Sequence, residues 1–460
     1  MILKLTDCFT ENDDKCAVPG RVLGQVLDRV LGTVDPCSIE LVAFYWDHRQ
    51  WYLPQQPYIR LITLLYKTSA MAQPHLVVTD QLAAAESWLE VECANSNAVG
   101  GASRNGEALL KDFAEHCSVP VIALDTPSRL APVIIPKPWG RELWYSGIEA
   151  RGQSGIGSEG KNIPLPWLLA LAGDTLLGGD CQSINLLKIL DPLPEPVYGD
   201  LYLELHEEKR EVYVVTHVDE TAWPEGVGAI RYGFDTQVQA EYPDDESFRR
   251  AFCASTGAYE QVRREIDSAI GSGIDREALP LELLTRETAL RQAMNRFTQL
   301  KPLVVGDVVK VPCLLPHSLQ HGVRTVEFQT PVYERKILSF AQEVLTQQHW
   351  DTEAAVALMT TTPPADSEFV VLENSPGLRR ELIVEFDDFS VERVTLAPGV
   401  QWPMATEGRY ALAMTVNSVL LAGSPLAAEN AVLIPVGAGQ VMIENLSDVP
   451  AIVLISRPGG

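Results

Sequence analysis

The sequence predicts a mainly β protein: two antiparallel β regions, a helical insert within the first, and an N-terminal α or mixed α/β accessory domain. Three observations predict it. From about residue 129, short apolar runs separated by Pro and Gly dominate, the pattern of strands joined by turns. Near 244–300 an acidic stretch repeats Phe248, Phe252, Tyr259, Val262 and Ile266 at steps of four, seven, three and four residues, which is the period of a helix face. Residues 369–460 then return to strand-like runs with turn signals roughly every 8–12 residues, as in a sandwich or barrel.

Composition bounds the function classes. The 460 residues are 46% hydrophobic and carry 36 Lys+Arg against 61 Asp+Glu, a net charge of −25. At roughly 100–200 residues per domain, several folded domains are expected and general disorder is excluded. The acidity argues against a nucleic acid or an anionic membrane surface as the main partner. No apolar run approaches the roughly 18 residues needed to span a bilayer. The opening MILKLTDCFTENDDKC has neither a basic n-region nor a sustained apolar h-region, so no secretory signal is expected. Eight cysteines, from Cys8 to Cys313, are dispersed without any Cys-x-x-Cys, which favours reduced thiols in a cytoplasmic protein.

Taken in chain order, residues 1–128 form the accessory domain. Pro19-Gly20 precedes Val22, Leu23, Val26, Leu27, Val30 and Leu31, one apolar helix face, and Gly32 supplies a stop. Leu76-Val77-Val78 and 120–124 read as strands, and Asn95 to Gly106 as a surface loop. Residues 129–360 form the first β region, interrupted by the insert, whose second helix Thr285 is placed to cap. TTTPPADS at 361–368 is a linker, and 369–460 the second β region.

The chemistry sits in 201–217. Alternation in Leu201-Tyr202-Leu203-Glu204-Leu205-His206 puts three leucines on one face and Tyr202, Glu204 and His206 on the other. The chain then runs Lys209-Arg210-Glu211-Val212-Tyr213. A hairpin would gather Glu204, His206 and Glu211, the nitrogen and oxygen donors a divalent metal requires. Far along the chain, Gly306 to Pro312 ends a strand, His317 follows, and Thr325, Glu327 and Gln329 share a strand face, with Arg335 beyond.

These stretches resemble the paired motifs of the cupin superfamily. Glu204-Leu205-His206 and Glu211 match its first motif, with Glu in place of the first His and Gly199 one residue out of register; Gly306, Pro312 and His317 match its second, with Leu314 where Gly is usual. A narrower resemblance is to type I phosphomannose isomerases. Lys209-Arg210-Glu211 is similar to that family's Lys-x-Glu, Glu327, Gln329 and Arg335 to the residues after its second motif, and Pro136-Lys137-Pro138-Trp139-Gly140 to its Trp-Gly opening. The family's Gln is here Glu204, and the long insertion between His and Lys-x-Glu is missing.

The resemblance implies two cupin (jelly-roll) barrels. The first, in 129–360, would hold one divalent metal through His206, Glu211 and His317, with Glu204 as a fourth ligand. Zinc is the family's metal, although two nitrogens and two oxygens equally admit manganese, iron, cobalt or nickel. It further implies aldose–ketose isomerisation of a small phosphosugar, mannose 6-phosphate to fructose 6-phosphate. Lys209 and Arg335 would be catalytic, with Glu327, Gln329 and His321 against the sugar. Lys137, Arg141, Arg324 and Lys336 are further cations for a phosphate pocket. The second barrel, with Gln440 where the metal His should stand and no His-x-His near Trp402, is expected to bind none. A non-catalytic or regulatory sugar-binding bicupin and an iron cupin oxygenase remain alternative readings.

Other motifs are set aside. Gly155 to Lys161 matches a Gly-rich phosphate loop, but Glu149 to Gln153 before it is not a buried strand, and Pro164 and Pro166 follow, so a flexible loop is expected. His217 is expected past a strand end and His349 at a helix start, while His48, His75 and His116 are expected to be surface or core residues. No Gly-x-Ser-x-Gly elbow occurs.

Overall fold

The computed structural model describes residues 2–10, 21–31, 41–68, 71–97, 105–158, 160–178, 184–345, 347, 349–364 and 368–459. Pro19, Gly20 and Gly32, part of the loop at 95–106, and residues 365–367 of the linker lie outside them. Strands predominate over helices. No helix among the described residues is long and apolar enough to cross a membrane.

Two compact units emerge: Met1–Val133 with Trp144–Asn185 and Phe369–Gly460, and Ile134–Leu143 with Leu186–Glu368. The sequence pattern divides the chain into consecutive segments instead. The interleaving has a plain cause in the first unit, where Ser128–Ala131 pairs with Ala431–Ile434 on one side and Gly155–Ser158 on the other. These strands complete a nine-stranded sheet built mainly from the C-terminal region.

In that unit, Ile2–Thr10 and Leu41–Arg49 run parallel, and Tyr58–Tyr66, His75–Thr79 and Ile122–Ala123 extend the sheet antiparallel. Leu41 to Trp46 are buried without alternation, so both faces of that strand are covered. The nine-stranded sheet and a four-stranded sheet share a core in which Trp402, Met404, Val441, Ile443, Val453 and Ile455 interdigitate. Apolar side chains occupy that interior, and Gln440 is exposed.

The Gly-rich segment is not a loop. Gly155–Ser158 and Lys161–Pro164 form an antiparallel hairpin, and helix Leu165–Leu177 follows with Pro164 and Pro166 confined to its start, where proline is tolerated. A Cβ on Gly157 would lie 2.4 Å from the Lys161 carbonyl oxygen, so the glycine serves close strand approach rather than a phosphate.

The second unit positions the candidate chemistry. Its six-stranded sheet runs in the order Val308–Val311, Glu211–Val218, Val323–Gln329, Leu186–Pro192, Gly140–Trp144, Val133–Lys137; its five-stranded sheet in the order Thr298–Leu303, Gly228–Phe234, His317–Leu319, Leu203–Leu205, Lys336–Ser339. The two pack on one core that includes Trp139, Leu190, Tyr213, Ile230, Leu319 and Ile337. Helices Asp245–Gly271 and Leu281–Asn295 cover the five-stranded sheet from outside, with Phe248, Phe252, Tyr259 and Val262 packed against Leu203, Leu205, Phe234 and Leu338. Asp244 caps the first helix through Ser247 N. Thr285 does not cap the second: Pro280 precedes it, and the Thr285 hydroxyl donates instead to the Leu281 carbonyl at 2.8 Å, a back-bond open to any mid-helix threonine.

Phe248 is fully buried and touches the Phe234, Tyr242 and Phe297 rings. Phe248→Ala is expected to destabilise this unit by about 3–5 kcal/mol. Calorimetry should show one unfolding transition moving down in temperature while the other stays; two unmoved transitions contradict the packing role.

Candidate metal centre

The polar face of the strand around Glu204 turns inward because the helical insert claims the opposite face through Leu203 and Leu205. Register brings the partners in. Glu204 pairs with His317 on one side and with Ile337 on the other. One carboxylate oxygen of Glu204 and Nε2 of His206 and His317 are buried without a hydrogen-bond partner. Donor atoms of these three residues lie within 4.8 Å of one another. Nitrogen and oxygen donors gathered in this way fit a divalent cation.

Glu211 closes the cluster. Its Oε1 lies 3.4 Å from His206 Nε2 and its Oε2 3.2 Å from His317 Nε2. Each imidazole turns its Nδ1 to a backbone carbonyl, His206 to Glu334 and His317 to Leu315, both at 2.9 Å. Such bonds fix the tautomer that leaves Nε2 free to ligate. Glu211 thus lies beside both imidazoles, next to the group formed by Glu204, His206 and His317.

Cations surround the carboxylates. Lys209 Nζ lies 2.6 Å from Glu211 Oε1, and Arg335 lies 3.6 Å from Glu204 with its guanidinium over the Tyr202 ring. Glu327 faces Tyr213 across one strand pair and Lys188 across the other, and its ion pair with Lys188 is 3.1 Å long. Gln329 faces Glu211 and is buried. Sequence reasoning missed Lys188; its signal was a lone lysine in the otherwise apolar run Leu186-Leu187-Lys188-Ile189-Leu190. Lys188 is only 7% exposed, which for lysine requires a buried partner.

His321 stands elsewhere, stacked on Trp223 with Nδ1 2.7 Å from Asp200. His217 lies within strand Glu211–Val218 rather than past it, and is exposed. His349 is exposed just before helix Thr352–Leu358. The remaining candidate phosphate cations are in ion pairs: Lys137 with Glu142, Arg141 and Arg324 with Asp191, and Lys336 with Glu207.

Electrostatics separate the carboxyls. Burial alone would raise Glu211, but Lys209 and His206 drive it well below the usual carboxylate range. Burial also opposes ionisation of Glu204, which Arg335 and His206 nonetheless hold low. Burial and the Glu211 charge push Glu327 well above the usual range, against the pull of Lys188. Burial and Lys209 lower His206 below its ordinary 6.5.

The His206 shift has a fixed sign for stability. Its folded-state value is depressed, so the unfolded chain takes up a proton first, and stability is lost as pH falls below 6.5 toward the folded value. The metal-free protein should therefore lose melting temperature across that window relative to His206→Gln, which cannot titrate there. Parallel pH curves for the two proteins contradict the assignment.

Neither a protein-family model nor a curated protein sequence matches the chain. Solved structures do. The mannose 6-phosphate isomerase of Bacillus subtilis is 16% identical over 72% of this chain and 99% of its own, with a TM-score of 0.51. A substituted phosphomannose isomerase from Salmonella typhimurium is 12% identical over 73% and 100%, with a TM-score of 0.53. A zinc-bound mannose 6-phosphate isomerase is 12% identical over 72% and 99%, also at 0.53. The chain shares the fold of the mannose 6-phosphate isomerases.

Proposed function

We propose that the protein is a metal-dependent aldose–ketose isomerase of a phosphorylated sugar, converting mannose 6-phosphate to fructose 6-phosphate in the cytoplasm. In this reading, 129–360 is a cupin barrel holding one zinc ion, 369–460 a second barrel without ligands, and 1–128 an accessory domain. The observation that carries it is the convergence of Glu204, His206 and His317 donors in a fold shared with phosphomannose isomerases, one of them zinc-bound.

The ligands would be Glu204, His206, Glu211 and His317. Bound there, the cation supplies Lewis acidity toward the sugar's C1 and C2 oxygens, which makes the C2 proton removable. The chain's own groups do the rest. A proton leaves C2 and one is added to O1, giving the enediol; O2 then loses its proton and C1 gains one, giving the ketose. Lys209, within 2.6 Å of Glu211, would carry the proton between C2 and C1. Glu327, whose carboxyl burial and the Glu211 charge push above the usual range, would bind one sugar hydroxyl, and Gln329 another. Arg335 would steady enediolate charge or grip the phosphate through its fork of donors.

One observation favours the second reading, a non-catalytic sugar-binding protein: Lys209, Lys188 and Arg335 each lie against a carboxylate. An isomerase assay on mannose 6-phosphate with the zinc-reconstituted protein decides. Turnover is expected, with Arg335→Ala lowering kcat/KM by about 10²–10³-fold, as for loss of one donor to a developing oxyanion. Sugar binding without turnover supports the second reading, and unchanged turnover in Arg335→Ala excludes the arginine's role.

A further inference from the structure

Glu211 is gripped from both sides. Lys209 Nζ approaches Oε1 to 2.6 Å, and the Tyr213 hydroxyl donates to Oε2 at 2.5 Å. Tyr213 reaches this position through strand alternation, two residues beyond Glu211 on the same inward face. Its ring is buried in the core shared by Val215, Val309 and Ile230 and lies 6.3 Å from the His317 ring. At 4% exposure the residue is largely shielded from bulk water. A hydroxyl donating to a carboxylate at this distance makes a short, charge-assisted bond.

The consequence is orientational. A glutamate side chain has three rotatable bonds, and Lys209 alone would draw the carboxylate toward Oε1. The opposing pull on Oε2 keeps one oxygen beside each imidazole, at 3.4 Å from His206 and 3.2 Å from His317. We propose that Tyr213 is a positioning residue that orients the Glu211 carboxylate between His206 and His317 and thereby sets the affinity of the centre for a divalent cation. The inference rests on the metal-centre reading above and concerns a residue given no part in it. Partners that orient a ligating group are typically worth about 10–100-fold in metal affinity.

The test is cobalt(II) titration of the metal-free full-length protein, read by chelator competition and by the visible d–d spectrum. The wild type should bind one equivalent. Tyr213→Phe, which keeps the ring, is expected to bind at least about tenfold more weakly and with altered bands. Tyr213→Met, a second variant without the donor that fills the space flexibly, should show the same loss, so one folded variant suffices. Tyr232→Phe, which removes a buried hydroxyl donating to the Lys310 carbonyl, should leave affinity and spectrum unchanged. Wild-type affinity and bands in a folded Tyr213 variant overturn the inference. Failure of the wild type itself to bind cobalt overturns the metal-centre reading instead.

Discussion

The structure of the second unit turns on one constraint: carboxylates and imidazoles buried in a sandwich interior must have their charge and lone pairs answered inside it. The helical insert creates this problem. By packing Phe248 and Phe252 on Leu203 and Leu205, it leaves Glu204 and His206 no direction but inward. The interior answers with cations from neighbouring strands, and three donor atoms of Glu204, His206 and His317 still stand without hydrogen bonds. That residue of unmet valence is what a bound divalent ion would satisfy.

The answering charges follow the sheet order. Reading across the six-stranded sheet, Glu211, Glu327, Lys188, Glu142 and Lys137 come from five adjacent strands, and all are largely buried. Registered pairing sets Lys188 opposite Glu327, so the ladder cannot shift by one residue without reversing every one of these side chains. Breaking one partner of such a buried pair costs far more than the pair itself contributes. The same ladder drives the Glu211 carboxyl well below the usual range and the Glu327 carboxyl well above it.

How much of this was legible in the sequence follows from which signals are local. The period-two alternation at 201–206 and the four- and seven-residue spacing of Phe248, Phe252 and Tyr259 are local; the helix is where its spacing puts it, and the strand is the central part of its run, Leu203–Leu205. The meeting of His317 with Glu204 is not local; it came into view through the order of two motifs, and the registered strand pair supplies its cause. Lys188 carried no motif, only an odd charge in an apolar run, and its meaning depends on Glu327 far along the chain. The hairpin at Gly155 was hidden because glycines that permit close strand approach look in sequence like glycines that cradle a phosphate. Pairing of Ser128–Ala131 with Ala431–Ile434 joins residues so distant that no pattern within either strand announces it. His321 was drawn toward the sugar by its nearness to His317, yet past the strand's end it turns to Asp200 and Trp223.

X-ray absorption at the zinc edge of the reconstituted protein tests the central claim most directly. The account predicts a light-atom nitrogen and oxygen shell at about 2.0–2.2 Å, with the outer-shell scattering of two imidazoles and no sulfur. A sulfur shell near 2.3 Å, a single imidazole, or zinc that washes away with the buffer would contradict it.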